Sequence, residues 1–459
     1  MYSPTRRQFL KSSVKSVTAL GALGAMAKFG EISAFASTGG PSYQALVCIF
    51  MSGGNDGHNT IIPISTAQQN YSLYQQGRGP LALAQSSLLR IADGSDVYGL
   101  HPSIPELQGL YTSGKAAILA NVGMLVQPLA RAGYLTNNNA LLPNSLFSHS
   151  DQSNQWQTAI PNGIASTGWG GRISDLMQTQ NSGAIFPPIT TTSSCDLFCS
   201  GQTTSAATVP PPPTGSGLPS GMATLNSLHN APSLSSGMQQ LLTFDDGLQL
   251  VQAGNSVVGR GNTYANTMTN LLANAKVATP FPTGNPLADQ LQTVARIMSV
   301  RGQLGLTRQI FFCQLNGFDT HSTQLETQVV LLQQLSQAIG AFYQATQELL
   351  IEQSVTTFTA SEFGRTLTPS GTDGSDHAWG NHHFVLGGGV QGGKIYGQFP
   401  QLSLGGTQDA NLRGTLIPTT AVSQYGATLA KWFGVSAASL PTVFPNIGNF
   451  ATPTLSFLG

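Results

Sequence analysis

An α/β fold built on a mostly parallel central sheet flanked by helices is what this sequence predicts, and two observations predict it. Continuous apolar runs of strand length recur along the chain, and stretches of helical length separate them. Runs without polar alternation belong to strands buried on both faces. The first, Tyr43 to Met51, leads directly into the polar turn Ser52-Gly53-Gly54-Asn55-Asp56-Gly57-His58-Asn59-Thr60. A helix is expected from Pro102 to Gly114, then a second buried strand from Ala116 to Val122. From Thr191 to Gly221 the chain is rich in Ser, Thr, Gly and Pro, with Pro210 to Pro213 in succession, and reads as a surface excursion. Leu241 to Ala275 and Leu287 to Val300 have helical character. The core pattern then returns with a strand at Gln309 to Leu315, a helix at Gln324 to Ile351, and strands at Val355 to Ala360 and His383 to Leu386. The expected organisation is one α/β domain over residues 37–459, with 191–305 as an insert or cap.

Charge is scarce. The 459 residues include 19 Lys or Arg and 19 Asp or Glu, so 8% are charged and the formal net charge is zero. An ordinary soluble chain carries roughly 25%. With no basic surplus to neutralise phosphates, nucleic acid is excluded as an electrostatic partner. No segment supplies about 18 uninterrupted apolar residues, so no transmembrane anchor is expected.

Residues 1–36 read as an address. Thr5-Arg6-Arg7-Gln8-Phe9-Leu10-Lys11 has the twin-arginine pattern, a weakly apolar stretch runs from Val14 to Ala27, and Ala34-Phe35-Ala36 offers a cleavage site. The twin-arginine export machinery is therefore an expected partner, and a periplasmic or secreted location follows. That route carries folded proteins, often with metal already loaded. Cys48 and Cys313 sit in apolar strands and read as core thiols, whereas Cys195 and Cys199 flank three loop residues that an oxidising compartment could bridge.

Histidine placement carries the chemical signal. Four of the eight histidines have an acid within two positions: Asp56 with His58, His149 with Asp151, Asp319 with His321, and Asp376 with His377. Random placement gives about 1.3 such histidines. Asp56, Asp319 and Glu362 each follow a predicted strand, and in an open α/β sheet the loops beyond the strand carboxyl ends meet in one crevice. Carboxylates gathered there need a cation, and oxygen with imidazole suits a divalent ion. Each residue also has a structural alternative. Asp56 can cap the next helix, Asp319 can cap the helix after Ser322, Arg365 can pair with Glu362, and His382 and His383 can be surface residues at a strand start. Trp156, Trp169 and Trp379 read as packing.

Several of these segments together resemble a family. Leu46 to Thr60, Gly99-Leu100-His101-Pro102, Ser148-His149, Gly168-Trp169-Gly170-Gly171-Arg172, Gly317 to Gln324, Ser361 to Thr366 and Thr372 to His377 resemble, in that order, the exported bacterial family called domain of unknown function fifteen-oh-one. That family is similar to the alkaline phosphatase and sulfatase superfamily. The resemblance implies an alkaline phosphatase-like sheet and a crevice holding one or two divalent ions (zinc, manganese or calcium). By motif order it implies metal ligation by Asp56, Asp319, His321 and His377, with Glu362 in the position of a further ligand. It places the nucleophile on Ser148; as bidentate donors, Arg365 or Arg172 are the groups expected to stabilise the anion. The chain departs from the pattern at Glu362-Phe363, where the superfamily has Asp-His, so a mononuclear site, a site completed by His149 or His382, or a decayed site all fit.

The function expected is an exported metal-dependent hydrolase of phosphate or sulfate esters, its substrate a small-molecule or polymer ester. The alternative is a non-catalytic exported binding or assembly protein on the same fold, and a third reading is a metal-free Ser esterase. Glu362-Phe363 leaves open whether the chain is still an enzyme.

Overall fold

A computed structural model describes residues 42–193, 197–211, 237, 240, 242–243, 248–371 and 373–459. The twin-arginine segment, Cys195, His229 and part of the Thr191 to Gly221 excursion lie outside the described residues. The residues Gln44–Gly459 form one compact unit.

The first apolar run becomes β1 (Gln44–Ser52), whose interior residues are all buried. It leads through the short helix α1 (Gly57–Thr60) into β2 (Ile61–Ser65), then α2 (Tyr71–Arg78), β3 (Leu89–Asp93) and β4 (Asp96–Leu100). These three strands make a separate antiparallel sheet in the order β2-β4-β3, with Pro63 tolerated because β2 is an edge. After α3 (Pro105–Thr112), β5 (Ala116–Gly123) enters the main sheet. The helices α4 (His149–Thr158) and α5 (Trp169–Leu176) follow, then β6 (Ile189–Thr191) and β7 (Ala207–Thr208). Two helices, α6 (Gln249–Asn274) and α7 (Pro286–Ser299), precede β8 (Arg308–Asn316). The chain then forms α8 (Gln324–Glu348), β9 (Val355–Ala360), β10 (Asn381–Leu386), β11 (Ile395–Tyr396), β12 (Thr420–Ala421) and α9 (Val422–Phe433).

The main sheet runs β11-β5-β10-β9-β1-β8-β6-β7, with β12 also on β5. All its pairings are parallel except those of β10, which lies antiparallel to β5 and β9. Within the 191–305 stretch read as an insert, β7 extends this sheet, and Gln290 of α7 hydrogen-bonds Thr192 and Gln314.

Alternation along β1 divides the core. Leu46, Cys48 and Phe50 join Ile310, Phe312, Phe358, Trp169 and Tyr425 in one apolar cluster on the α5 and α9 side. Ala45, Val47 and Ile49, pointing the other way, are fully buried too, so both faces are covered. Each buried Phe or Ile contributes about 1.5–3 kcal/mol. Trp156, Trp169 and Trp379 are buried, and their indole partners are internal: Trp169 donates to the Trp156 carbonyl and Trp379 to that of Met124. No described helix is long and apolar enough to cross a membrane.

Candidate metal centre

Strand direction builds the site. β1 lies between β8 and β9, parallel to both, with Ser52 opposite Asn316 and Phe50 opposite Ala360. The chain therefore leaves all three strands at one edge. Gly53, at φ +118°, ties the three exits together. Its amide donates to Glu362 Oε1 at 2.8 Å, and a Cβ there would lie 2.3 Å from the Asp319 amide nitrogen. Only glycine combines that φ with that approach.

Three histidines converge on Asp319 at this edge. Its Oδ1 lies 3.3 Å from His149 Nε2, 3.1 Å from His321 Nε2 and 3.2 Å from His377 Nε2. His321 Nε2 and His377 Nε2 are 2.9 Å apart. The four side chains are 22–47% exposed, so the cluster opens to solvent. His149 begins α4, Asp319 and His321 follow β8, and His377 precedes β10.

The opposite ring nitrogens decide what the converging ones can do. His377 Nδ1 is 2.8 Å from the Phe147 carbonyl, which only accepts, so that nitrogen carries the proton. His149 Nδ1 faces Glu362 Oε1 at 2.9 Å, and it likewise donates. His321 Nδ1 faces Asp376 Oδ1 at 3.7 Å. In the neutral rings of His149 and His377 the Nε2 lone pairs consequently point inward, the arrangement by which acceptors on Nδ1 orient metal-ligating imidazoles. Lone pairs aimed at one carboxylate oxygen repel unless a proton or cation lies among them.

The donor set fits a metal. Tetrahedral zinc with bonds of about 2.0–2.1 Å holds its ligand atoms about 3.3 Å apart, close to the distances of the three Nε2 atoms from Asp319 Oδ1. Ligand atoms of His149, Asp319 and His377 all fall within 4.8 Å of one another. Two imidazoles and a carboxylate, with His321 beside them, suit zinc or a similar divalent ion rather than magnesium or calcium, which prefer oxygen.

The electrostatics are uneven. The Glu362 hydrogen bond raises the His149 pKa against partial burial, whereas burial lowers that of His377. Burial pushes up on the Asp319 carboxyl, but the Arg365 hydrogen bond and charge outweigh it and hold the pKa at about 2. Arg365 Nη2 sits 2.5 Å from Asp319 Oδ1.

Of the residues singled out from the sequence, the structure brings together Asp319, His321 and His377, with Glu362 behind His149. His149, one of the two residues expected to complete the site, reaches the cluster, and its Asp151 neighbour marked it in the sequence. Asp56 is not brought to the cluster. It caps α1 by accepting from the His58 amide, and its other oxygen accepts from buried Arg78 and from Gln324 at 2.6 Å. Ser148 caps α4 and donates to Asp151 at 2.6 Å. Arg365 does not pair with Glu362; it is buried and donates to the carbonyls of Gly53, Gly54, Phe318 and Ser375 as well as to Asp319. Arg172 donates to the carbonyls of Thr158, Thr167 and Val443, and burial lowers its pKa to about 10. His382 and His383 are buried rather than at the surface. His382 stacks on Phe399 and His383 on Tyr425, and burial lowers the pKa of each to about 3.

Comparison with known proteins places this geometry in context. The family described as "Protein of unknown function (DUF1501)" matches residues 43–422. No curated sequence matches the chain. Among solved structures, the chain is similar to a phosphonate monoester hydrolase of Agrobacterium radiobacter, at 8% identity and TM-score 0.34, covering 85% of this chain and 74% of that one. It is similar to the PsFucS1 sulfatase from Pseudoalteromonas sp., at 8% identity and TM-score 0.32, covering 92% and 76%. It is similar also to the lipoteichoic acid synthase LtaP from Listeria monocytogenes, at 9% identity and TM-score 0.30, covering 83% and 75%. Likeness this distant carries no substrate and no reaction across.

Proposed function

We propose that this chain, which belongs to the DUF1501 family, is an exported hydrolase of phosphate or sulfate esters that depends on a single divalent metal ion. The observation that carries the reading is the convergence of the His149, His321 and His377 Nε2 atoms on Asp319 Oδ1, with Nδ1 of His149 and His377 held from behind. A divalent ion held there would polarise an ester oxygen and lower the pKa of a water. The protein's own groups then have defined tasks. Glu362 orients His149 and keeps its Nδ1 protonated. The Phe147 carbonyl does the same for His377. Arg365 holds Asp319 ionised and fixes the loops after β1, β8 and β9 in one register.

One ion rather than two is favoured by Phe363, whose ring stacks on His377 with centroids 4.6 Å apart and lies 4.8 Å from His149. The pairing of Asp56 with Arg78 points the same way. Ser148, turned toward Asp151, is not aimed at the cluster, so attack by water fits better than attack by this hydroxyl. Export through the twin-arginine pathway rests on Thr5 to Lys11.

Elemental analysis of the exported protein, beside the Asp319→Asn, His321→Ala double variant, tests the reading. About one zinc or manganese per chain, absent in the double variant, together with chelator-sensitive cleavage of aryl phosphate or sulfate esters, is the expected result. No metal in either protein would sink it. That outcome would favour the second reading, a binding protein in which Arg365 supplies the cation that Asp319 needs, as their 2.5 Å contact permits.

A further inference from the structure

Beside the histidine cluster, residues 134–165 and Leu197 enclose a cavity of about 650 Å³. It adjoins the cluster directly. Phe147 lines it and offers its carbonyl to His377, while Asp151 lines it and holds the Ser148 hydroxyl. The volume lies within the range of small-ligand sites.

Its chemistry is distinctive. Five side-chain amides line it: Asn137, Asn139, Asn144, Asn154 and Gln155. No Lys, Arg or His is among the lining residues, and Asp151 is the one carboxylate. Tyr134, Leu142, Ile160 and Ile164 add apolar surface. Each amide offers two donors and an acceptor, so the wall is written for a partner that both donates and accepts. Gln155 is buried behind the wall and braces it, giving Nε2 to the Asn144 carbonyl at 2.6 Å. The backbone agrees. Asn137, Ser145 and Phe147 have φ of +51°, +48° and +73°, and left-handed non-glycine residues of this kind gather where a ligand is held.

We infer that this cavity binds an uncharged sugar, the alcohol portion of an ester whose anionic group reaches the histidine cluster. The inference rests on the hydrolase reading above for the ester, and on the cavity alone for the sugar. A polyanion is disfavoured, because no cation lines the wall and Asp151 repels. A purely apolar ligand would leave the side-chain amides of the wall unpaired. Sugar hydroxyls satisfy those groups, and the sugar's C–H face suits Tyr134 and the aliphatic side chains.

The test is calorimetric titration of the full, metal-loaded chain with cellobiose, maltose and N,N′-diacetylchitobiose, and with digalacturonate as the acidic counterpart. At least one neutral disaccharide is expected to saturate with a Kd on the order of 1 mM or tighter, and digalacturonate to bind at least about tenfold more weakly. Asn154→Leu and Ile164→Arg, both at exposed positions of the wall, should each weaken the neutral probe about tenfold while the metal content stays at the wild-type level. No saturable neutral binding, preferential binding of digalacturonate, or unchanged affinity in both variants would overturn the inference. The two readings fail separately. Asp319→Asn that loses metal yet binds the disaccharide leaves the cavity standing, and metal without sugar binding removes the cavity proposal alone.

Discussion

Replacing Arg78 by Met separates two roles for Asp56. Arg78 and Asp56 form an ion pair with side chains 0% and 1% exposed. Truncating one partner of such a pair strands the other charge in the interior and costs about 3–5 kcal/mol. The guanidinium also serves the Asn59 side chain and the Thr366 and Leu367 carbonyls, so the upper part of that range is the better expectation. Unfolding entropy of about 2.1 cal/mol/K per residue gives roughly 0.9 kcal/mol per kelvin for the compact unit Gln44–Gly459. The melting temperature should therefore fall by about 3–6 °C. Asp56→Asn should give a drop of similar size, since it strands Arg78 instead. Scanning calorimetry on both variants, with metal content measured in parallel, is the assay. If Asp56 is a structural anion, both variants melt early and both keep their metal. Loss of metal from Asp56→Asn alone, or a shift below about 1 °C in Arg78→Met, would refute the reasoning.

Three further outcomes are expected. Glu362→Gln keeps a partner for Gly53 but weakens the hold on His149, and metal affinity should fall about 10–100-fold in a chelator competition. Ser148→Ala should leave ester hydrolysis within about threefold of wild type while lowering stability by about 1 kcal/mol through the lost cap, whereas loss of activity by a factor near 10⁴ would restore Ser148 as nucleophile. Acid should destabilise the fold through its buried histidines. His382 and His383 keep pKa values of about 3 through burial, against 6.5 in the unfolded chain, so their contribution is fully present above pH 6.5 and is lost as pH falls toward 3. At pH 5 each gives up about 2 kcal/mol. His383→Phe should flatten the decline of melting temperature between pH 7 and 5, and an unchanged slope would count against it.

The parallel core was legible because strands buried on both faces leave continuous apolar runs. Val355–Ala360 matches its predicted limits, and Gln309 to Leu315 falls one residue short at each end of Arg308–Asn316. The antiparallel sheet of β2, β3 and β4 was not legible. Its strands are five residues long and partly exposed, and Pro63 reads as a breaker. Direction was hidden too, since nothing in His383 to Leu386 says that β10 runs against its neighbours. At the site, the rule that loops beyond strand ends share a crevice pointed to Asp319 with its neighbour His321, while His377 came from motif order, and the structure brings the three together. The rule could not tell Asp319 from Asp56. Both follow strands in Gly-rich turns and both meet a buried arginine, Arg78 for Asp56 and Arg365 for Asp319; what separates them is exposure, 1% of the side chain against 47%, which only the tertiary fold decides. The role of Glu362 likewise depends on His149, 213 positions distant, which no local pattern connects.

The position of β1 sets a timetable for synthesis. It is among the first structured segments to leave the ribosome, yet both of its partners come late, and Ser52 waits for Asn316. At about 5–20 residues per second that interval lasts roughly 13–53 s, and β9 takes longer still. Throughout it, an apolar strand with two unpaired edges is an invitation to aggregate. The histidine cluster cannot exist until residue 377 has been added, so any ion must be captured after nearly the whole domain is made. In a nascent chain of this design the central strand of the sheet is the one that stays unpaired longest, so the sheet closes only near the end of synthesis.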